Sequence, residues 1–157
     1  MIMESRNEKP HLFAAEIQLF YKTQIKPSER PRISCSQDSY RVLLNSWDPE
    51  QIEFVEQFKV LLLNRAHRVL GFVLVSSGCN SGTVVDPKLV FAAALKTNAC
   101  SVIVAHNHPS GNLAPSQADL TLTRKLHEGA KILEIQFLDH LILTKEGYFS
   151  FADEGLL

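Results

Sequence analysis

A chain of 157 residues with 45% hydrophobic and 21% charged side chains has the size and composition of one globular domain. Lys and Arg number 16 and Asp and Glu 17, for a net charge of −1, which excludes a chain-wide basic footprint for nucleic acid. No apolar run approaches the roughly 20 residues of a membrane span. The 3 cysteines, Cys35, Cys79 and Cys100, form no C-x-x-C pair and cannot all pair within the chain, which points to a reducing, cytoplasmic setting.

In chain order, residues 1–15 carry little periodicity and are expected to fray. They hold no apolar core segment of the kind a secretory signal needs. Residues 16–22 alternate polar and apolar side chains, which predicts a strand. A polar connector with Lys26, Arg30 and Arg32 leads to a helix over residues 36–47. There Tyr40, Leu43, Leu44 and Trp47 recur at helical spacing, behind Ser36 or Asp38 as N-cap. Asp48-Pro49 starts a second helix, with proline at its first position and Ile52 and Val55 on its apolar side.

Residues 57–63 predict a buried strand, 64–67 a turn and 68–76 a returning strand, together a hairpin. Residues 77–82 read as a loop. Asp86-Pro87 repeats the cap-then-proline start for a helix reaching residue 98, with Leu89, Val90, Ala93 and Ala94 on one side. Residues 101–105 are a short continuous apolar run, as in a central strand. Residues 107–115, holding Pro109, Gly111 and Pro115, read as a loop. A helix over residues 116–128 turns Leu120, Leu122, Thr123 and Leu126 inward and stops at Gly129. Strands follow at 132–138 and 141–144, on either side of Asp139-His140, and a last one at 148–151. This order is that of an α/β domain with a mixed sheet.

The chemistry concentrates in residues 106–119. His106 and His108 lie at i and i+2 where an apolar strand ends, so in extended backbone both imidazoles leave one face and can reach one ion. Pro109 forces His108 towards extended backbone. Asp119 falls in the first turn of the next helix, and a loop closed by Gly111 and Pro115 can fold that turn back over the histidines. Two histidines and a carboxylate are a recurring ligand set for catalytic zinc, with the fourth position left for water. Each part also has a plainer reading. A lone His-x-His is common, and Ser116-x-x-Asp119 is a capping-box pattern in which Asp119 serves the helix start. A hydrolytic site also needs a base, for which Glu53 and Glu56 are both candidates ahead of the strand at 57–63. Composition does not choose between them.

His106-x-His108 followed by Ser116-x-x-Asp119 resembles the JAMM motif of the JAB/MPN metalloproteases. The fuller string His106-Asn107-His108-Pro109-Ser110-Gly111, with Pro115-Ser116-x-x-Asp119, resembles their RadC-like branch. Glu56-Gln57-Phe58, Gly82-Thr83 and Asp139-His140-Leu141-Ile142 match further. The resemblance covers residues 48–157 and leaves 1–47 as an N-terminal extension, strand plus helix, packing on that domain. It implies a cytidine deaminase-like α/β fold, a mixed β-sheet sandwiched by helices. His106, His108 and Asp119 would be zinc ligands. Glu56, rather than Glu53, would hold the attacking water and act as general acid and base, and Ser116 would donate to the developing oxyanion. The implied activity is zinc-dependent hydrolysis of a peptide or isopeptide bond in a peptide or protein-conjugate substrate. The family label also carries a rival reading, an accessory factor in DNA repair or recombination. A non-catalytic scaffold, its loop stabilised by metal, is a further one. Longer RadC-like proteins carry a helix-hairpin-helix-type region at their front. Residues 1–47 show no matching Gly-rich hairpin and resemble a short RadC-like subgroup instead, so nucleic-acid binding is expected to be weak or indirect.

The remaining candidates read more plainly. His127 is a surface residue beside Glu128. His140 beside Asp139 either orients a metal-bound imidazole or forms a structural pair. Cys100, just ahead of a buried strand, is expected in the core. Cys79 lies in a loop with no activating base.

Overall fold

A computed structural model of the chain describes residues 14–78 and 84–157. His11, Cys79, the Gly82-Thr83 pair, most of the expected loop at 77–82 and nearly all of the expected frayed start lie outside the described residues.

The apolar runs on either side of residues 64–67 form the expected antiparallel hairpin, β1 (Gln57–Leu63) and β2 (Val69–Ser77). Asn64 closes its turn, its Oδ1 accepting from the amides of Ala66 and Arg68 at 3.0 and 2.9 Å. β1 also pairs antiparallel with β3 (Ser101–Asn107). β3 runs parallel to β4 (Gln136–Leu143), and the short β5 (Tyr148–Ser150) adds antiparallel to β4. The order is β2-β1-β3-β4-β5. A parallel pair needs a crossover, and α3 (Gln117–Ile132) supplies it.

Side chains alternate across a strand, so β1 and β3 feed two cores. Phe58, Val60, Leu62, Val102 and Val104 face one side. There they meet Val90 and Ala94 of α2 (Pro87–Lys96) and Leu126 and Ala130 of α3. Leu61, Leu63, Ile103, Ala105 and Leu141 face the other side, closed by Tyr40 and Leu43 of α1 (Ser36–Ser46) and by Trp47 and Ile52. The result is the expected mixed sheet sandwiched by helices, with β3 buried along its whole length. Asp86 caps α2 as its sequence indicates, accepting from the Lys88 amide at 2.9 Å. Among the described residues no helix is long and apolar enough to cross a membrane.

Several local expectations are corrected. Residues 16–22 form no strand, and Ile17 and Leu19 are 84% and 75% exposed. Alternation alone does not hold a strand without a neighbour to bond its backbone. Among the described residues the chain first meets the sheet at Arg32, which bridges Arg68 just ahead of β2. Cys35, not Ser36 or Asp38, occupies the N-cap position of α1, with no side-chain capping bond; Asp38 Oδ2 instead accepts from the Ser34 amide at 2.9 Å. Residues 49–55 wind as successive turns rather than a helix. In a helix, the Ile52 and Val55 carbonyls would accept from amides four residues on. Here both accept from the Asn107 side chain instead.

β3 continues through His106 and Asn107, so the loop begins at His108. Gly129 does not stop α3, which runs to Ile132. Its bare Cα answers a packing demand, because a Cβ there would lie 2.8 Å from Phe91 Cε2 on α2. Residues 132–135 are therefore helix end and turn, with Glu134 at φ 55°. β4 runs unbroken through Asp139-His140, whose polar side chains are satisfied inside the protein. Cys100 is exposed, at the turn leading into β3.

Candidate metal centre

The central strand delivers the two histidines. His106 is 2% exposed and stacks on Phe58, its partner across the β1–β3 ladder, with ring centroids 6.2 Å apart. His108 follows the end of β3, and its amide donates to the Leu143 carbonyl at 3.0 Å. His108 Nδ1 lies 2.6 Å from the Asn112 carbonyl oxygen. A carbonyl only accepts, so Nδ1 carries the proton and Nε2 presents a lone pair. The loop reaches that carbonyl by a turn at Gly111, at φ 80°, whose amide donates to His108 O at 3.0 Å. The two Nε2 atoms stand 3.0 Å apart.

Asp119 arrives from the helix start. Ser116 Oγ accepts from the Asp119 amide at 3.1 Å, and Asp119 Oδ2 accepts from the Ser116 amide and hydroxyl at 2.7 Å each. This is the capping box the sequence suggests. Oδ1 points the other way, 3.3 Å from His106 Nε2. Capping and ligation are therefore compatible, since Oδ2 serves the helix start, 3.9 Å from His108 Nε2, while Oδ1 faces His106. Burial opposes the carboxylate's charge. The Ser116 hydroxyl and amide favour the charge, and a protonated His106 would add a hydrogen bond and a positive charge that together outweigh burial and hold the carboxyl well below its ordinary range. Ligand atoms of His106, His108 and Asp119 all lie within 4.8 Å of one another. Two imidazole nitrogens and a carboxylate oxygen converging on one point fit a divalent metal ion with an open position.

Glu56 is half-buried between the turns and β1. Its carbonyl accepts from the Gly78 amide at 2.9 Å, which pins it from one side. From the other side, Asn107 Oδ1 accepts from the Gln57 amide at 2.8 Å, and its Nδ2 donates to the Ile52 and Val55 carbonyls at 2.7 and 2.9 Å. Asn107 thus clamps the Glu56 segment to the end of β3, between the two histidines. Phe58 pairs with His106, and Glu56 lies two residues earlier, just ahead of β1. Glu53 is 64% exposed and ion-paired with Lys145. Sequence reasoning missed Asn107 by assigning it to a loop. The signal available was a polar side chain enclosed by two histidines at the end of an apolar run.

Beneath His106 lies His140, fully buried and stacked on Phe151 at 4.7 Å. His140 Nε2 is 2.8 Å from His106 Nδ1, and its Nδ1 is 2.6 Å from Thr123 Oγ1. Burial, with the neighbouring His106 and His108, pushes this imidazole well below its ordinary range, although Asp119 opposes the shift. Asp139 does not pair with the His140 ring. Its carboxylate accepts from the His140 and Ala152 amides and from the Ser150 hydroxyl. His127 is no part of the site; it stacks on Phe137 at 5.9 Å.

Residues 33–156 match the family model of the RadC-like JAB domain. Similar curated proteins include a UPF0758 protein of Flavobacterium johnsoniae, 46% identical over 101 residues, or 64% of this chain and 44% of that protein. A UPF0758 protein of Symbiobacterium thermophilum is 43% identical over 103 residues, 66% of this chain and 44% of its own. One of Desulfitobacterium hafniense is 35% identical over 133 residues, 83% of this chain and 56% of its own. The chain spans about half the length of these relatives.

Proposed function

Because the chain belongs to the RadC-like JAB domain family, we propose that it is a zinc-dependent metallohydrolase that cleaves a peptide or isopeptide bond. The observation that carries this reading is the convergence of His106 Nε2, His108 Nε2 and Asp119 Oδ1 at the end of a buried strand. These three atoms would hold the ion. When bound, zinc acidifies a water to a pKa of about 7 and polarises a carbonyl.

The protein's own groups do the rest. The Glu56 carboxylate takes the proton of the attacking water and passes it to the leaving nitrogen. Its clamped segment, next to the end of the strand that carries the histidines, supports that role. The Ser116 hydroxyl exchanges its bond to Asp119 Oδ2 for one to the developing oxyanion. Ser116 Oγ can still accept from the Asp119 amide while it does so, and the helix start survives the exchange. A recess beside His108, lined by Ile52, Glu53, Pro109, Gly111 and Lys145, offers room for the chain flanking the bond. The free thiols of Cys35 and Cys100 support a reducing, cytoplasmic setting.

The test is elemental analysis of the purified protein and of its His108→Ala variant, with turnover on a panel of peptide and isopeptide conjugates. One zinc in the wild type and none in the variant is expected. Equal metal content in both would refute the ligand assignment. Turnover unchanged by zinc removal would refute the mechanism.

A further inference from the structure

Thr123 and His140 take no part in the assignment above, yet they touch the site from beneath. Thr123 Oγ1 has one proton. Its 2.7 Å contact with the Asp119 carbonyl oxygen, an atom that only accepts, uses that proton. Towards His140 Nδ1 the hydroxyl can then only accept, so Nδ1 carries the imidazole proton. That leaves a lone pair on His140 Nε2. The 2.8 Å contact with His106 needs a proton, and His106 Nδ1 must supply it. His106 is thereby left with its own lone pair on Nε2, the atom facing His108 and Asp119.

We propose that Thr123 and His140 are positioning residues that lock His106 in the Nδ1–H tautomer, so that its Nε2 lone pair is presented to the metal. The hydrogen-bonded chain begins and ends on one residue. Its anchor is the Asp119 carbonyl, and the Nε2 atom it controls faces the Asp119 carboxylate. The opposing tautomer would let His106 Nε2–H donate to Asp119 Oδ1, 3.3 Å away, and would close the site to a cation. The locked tautomer leaves His106 Nε2, His108 Nε2 and Asp119 Oδ1 with no proton among them, a gap that a cation fills, whereas the opposing tautomer leaves the Thr123 and Asp119 oxygens 2.7 Å apart with no proton between them. Thr123, His140 and His106 are 2%, 0% and 2% exposed, so water cannot take the place of a lost partner.

This inference rests on the metal reading of the site. Its test compares wild type with Thr123→Val, which keeps the shape but cannot accept, and Thr123→Ser, which restores the hydroxyl. Zn²⁺ affinity is measured by competition with a chromophoric chelator, and ring-nitrogen ¹⁵N spectra of the metal-free proteins report the tautomers. The expected results are Nδ1–H at His106 and His140 in the wild type, a shift to Nε2–H at His106 in Thr123→Val, and zinc affinity weaker by roughly 10–100-fold there. Thr123→Ser should restore both. Nε2–H at His106 in the wild type, or wild-type affinity in Thr123→Val, would overturn the relay. The wild-type spectrum decides this even if the valine variant fails to fold. A wild type that shows Nδ1–H at His106 but takes up no zinc would overturn the hydrolase reading and leave the tautomer lock standing.

Discussion

Replacing Asn107 with leucine tests how the Glu56 segment is held. The two side chains have similar volume, so the change removes hydrogen bonds without opening a large cavity. Three are lost, from the Gln57 amide and to the Ile52 and Val55 carbonyls. At about 1 kcal/mol net for each, the loss is about 3 kcal/mol. A larger penalty would apply if all three orphaned groups stayed dry, but Gln57 and Val55 are half-buried and water can reach part of the segment. Against a total stability of about 5–15 kcal/mol, the variant should still fold. For a domain of this size the melting temperature should fall by about 6–12 °C. Urea unfolding gives the free energy, and amide exchange at Gln57 localises it. Zinc content should be retained, because no ligand is touched, while turnover falls as Glu56 loses its fixed position. A loss below about 1 kcal/mol with Gln57 still protected would refute the clamp.

Glu56→Gln should keep zinc and lose turnover by roughly 10²–10⁴-fold, since the amide cannot accept the water's proton. Glu53→Gln should be near neutral, because it loosens only an exposed ion pair with Lys145; a dead Glu53 variant would move the base to that residue. Ser116→Ala should retain metal, lose about 1 kcal/mol of helix capping and slow turnover by about 10²–10³-fold. A variant that destabilises without slowing would restrict Ser116 to the cap. Chelation should lower the melting temperature and raise amide exchange over residues 108–115, because metal bound to the native state adds stability; an unchanged melt would mean the loop is pre-formed. The metal-free protein should lose stability as pH falls below 6.5, the ordinary imidazole value. Burial depresses the His140 pKa in the fold, so the unfolded chain binds a proton that the native state refuses. The slope from this group is at most about 1.4 kcal/mol per pH unit, and stability measured at pH 5, 6 and 7.5 that is equal in wild type and His140→Gln would contradict it.

What could be read in advance was whatever local chemistry decides. The Asp86-Pro87 start of α2 and the apolar runs of β1 and β3 follow from caps, fixed φ and burial within a few residues. The grouping of His106, His108 and Asp119 was legible because strand periodicity and a capping box place them by short-range rules. The misses were non-local. Residues 16–22 carry a strand pattern and meet no edge, while residues 49–55 carry a helix start and give their carbonyls to Asn107, about fifty residues on. Gly129 looked like a stop because the ring of Phe91, which claims the space of its missing side chain, comes from another helix. Asp139-His140 looked like a break because their partners, Ser150 and Thr123, are far along the chain.

The split duty of the Asp119 carboxylate bears on how such a site could decay. An asparagine there could still accept from the Ser116 amide through its carbonyl oxygen and would set its NH₂ group against the His106 lone pair, so α3 would start as before. A single conservative substitution could thus remove the carboxylate while keeping the helix start, at the cost of the stabilisation that the charged group gains in the fold. His106 offers no such exit. Packed between Phe58 and His140, it could not be replaced by a smaller side chain without opening a void in the core. In a drifting copy of this domain the carboxylate would disappear first and the buried histidine would persist as a fossil. This chain keeps both, with Ser116 beside them.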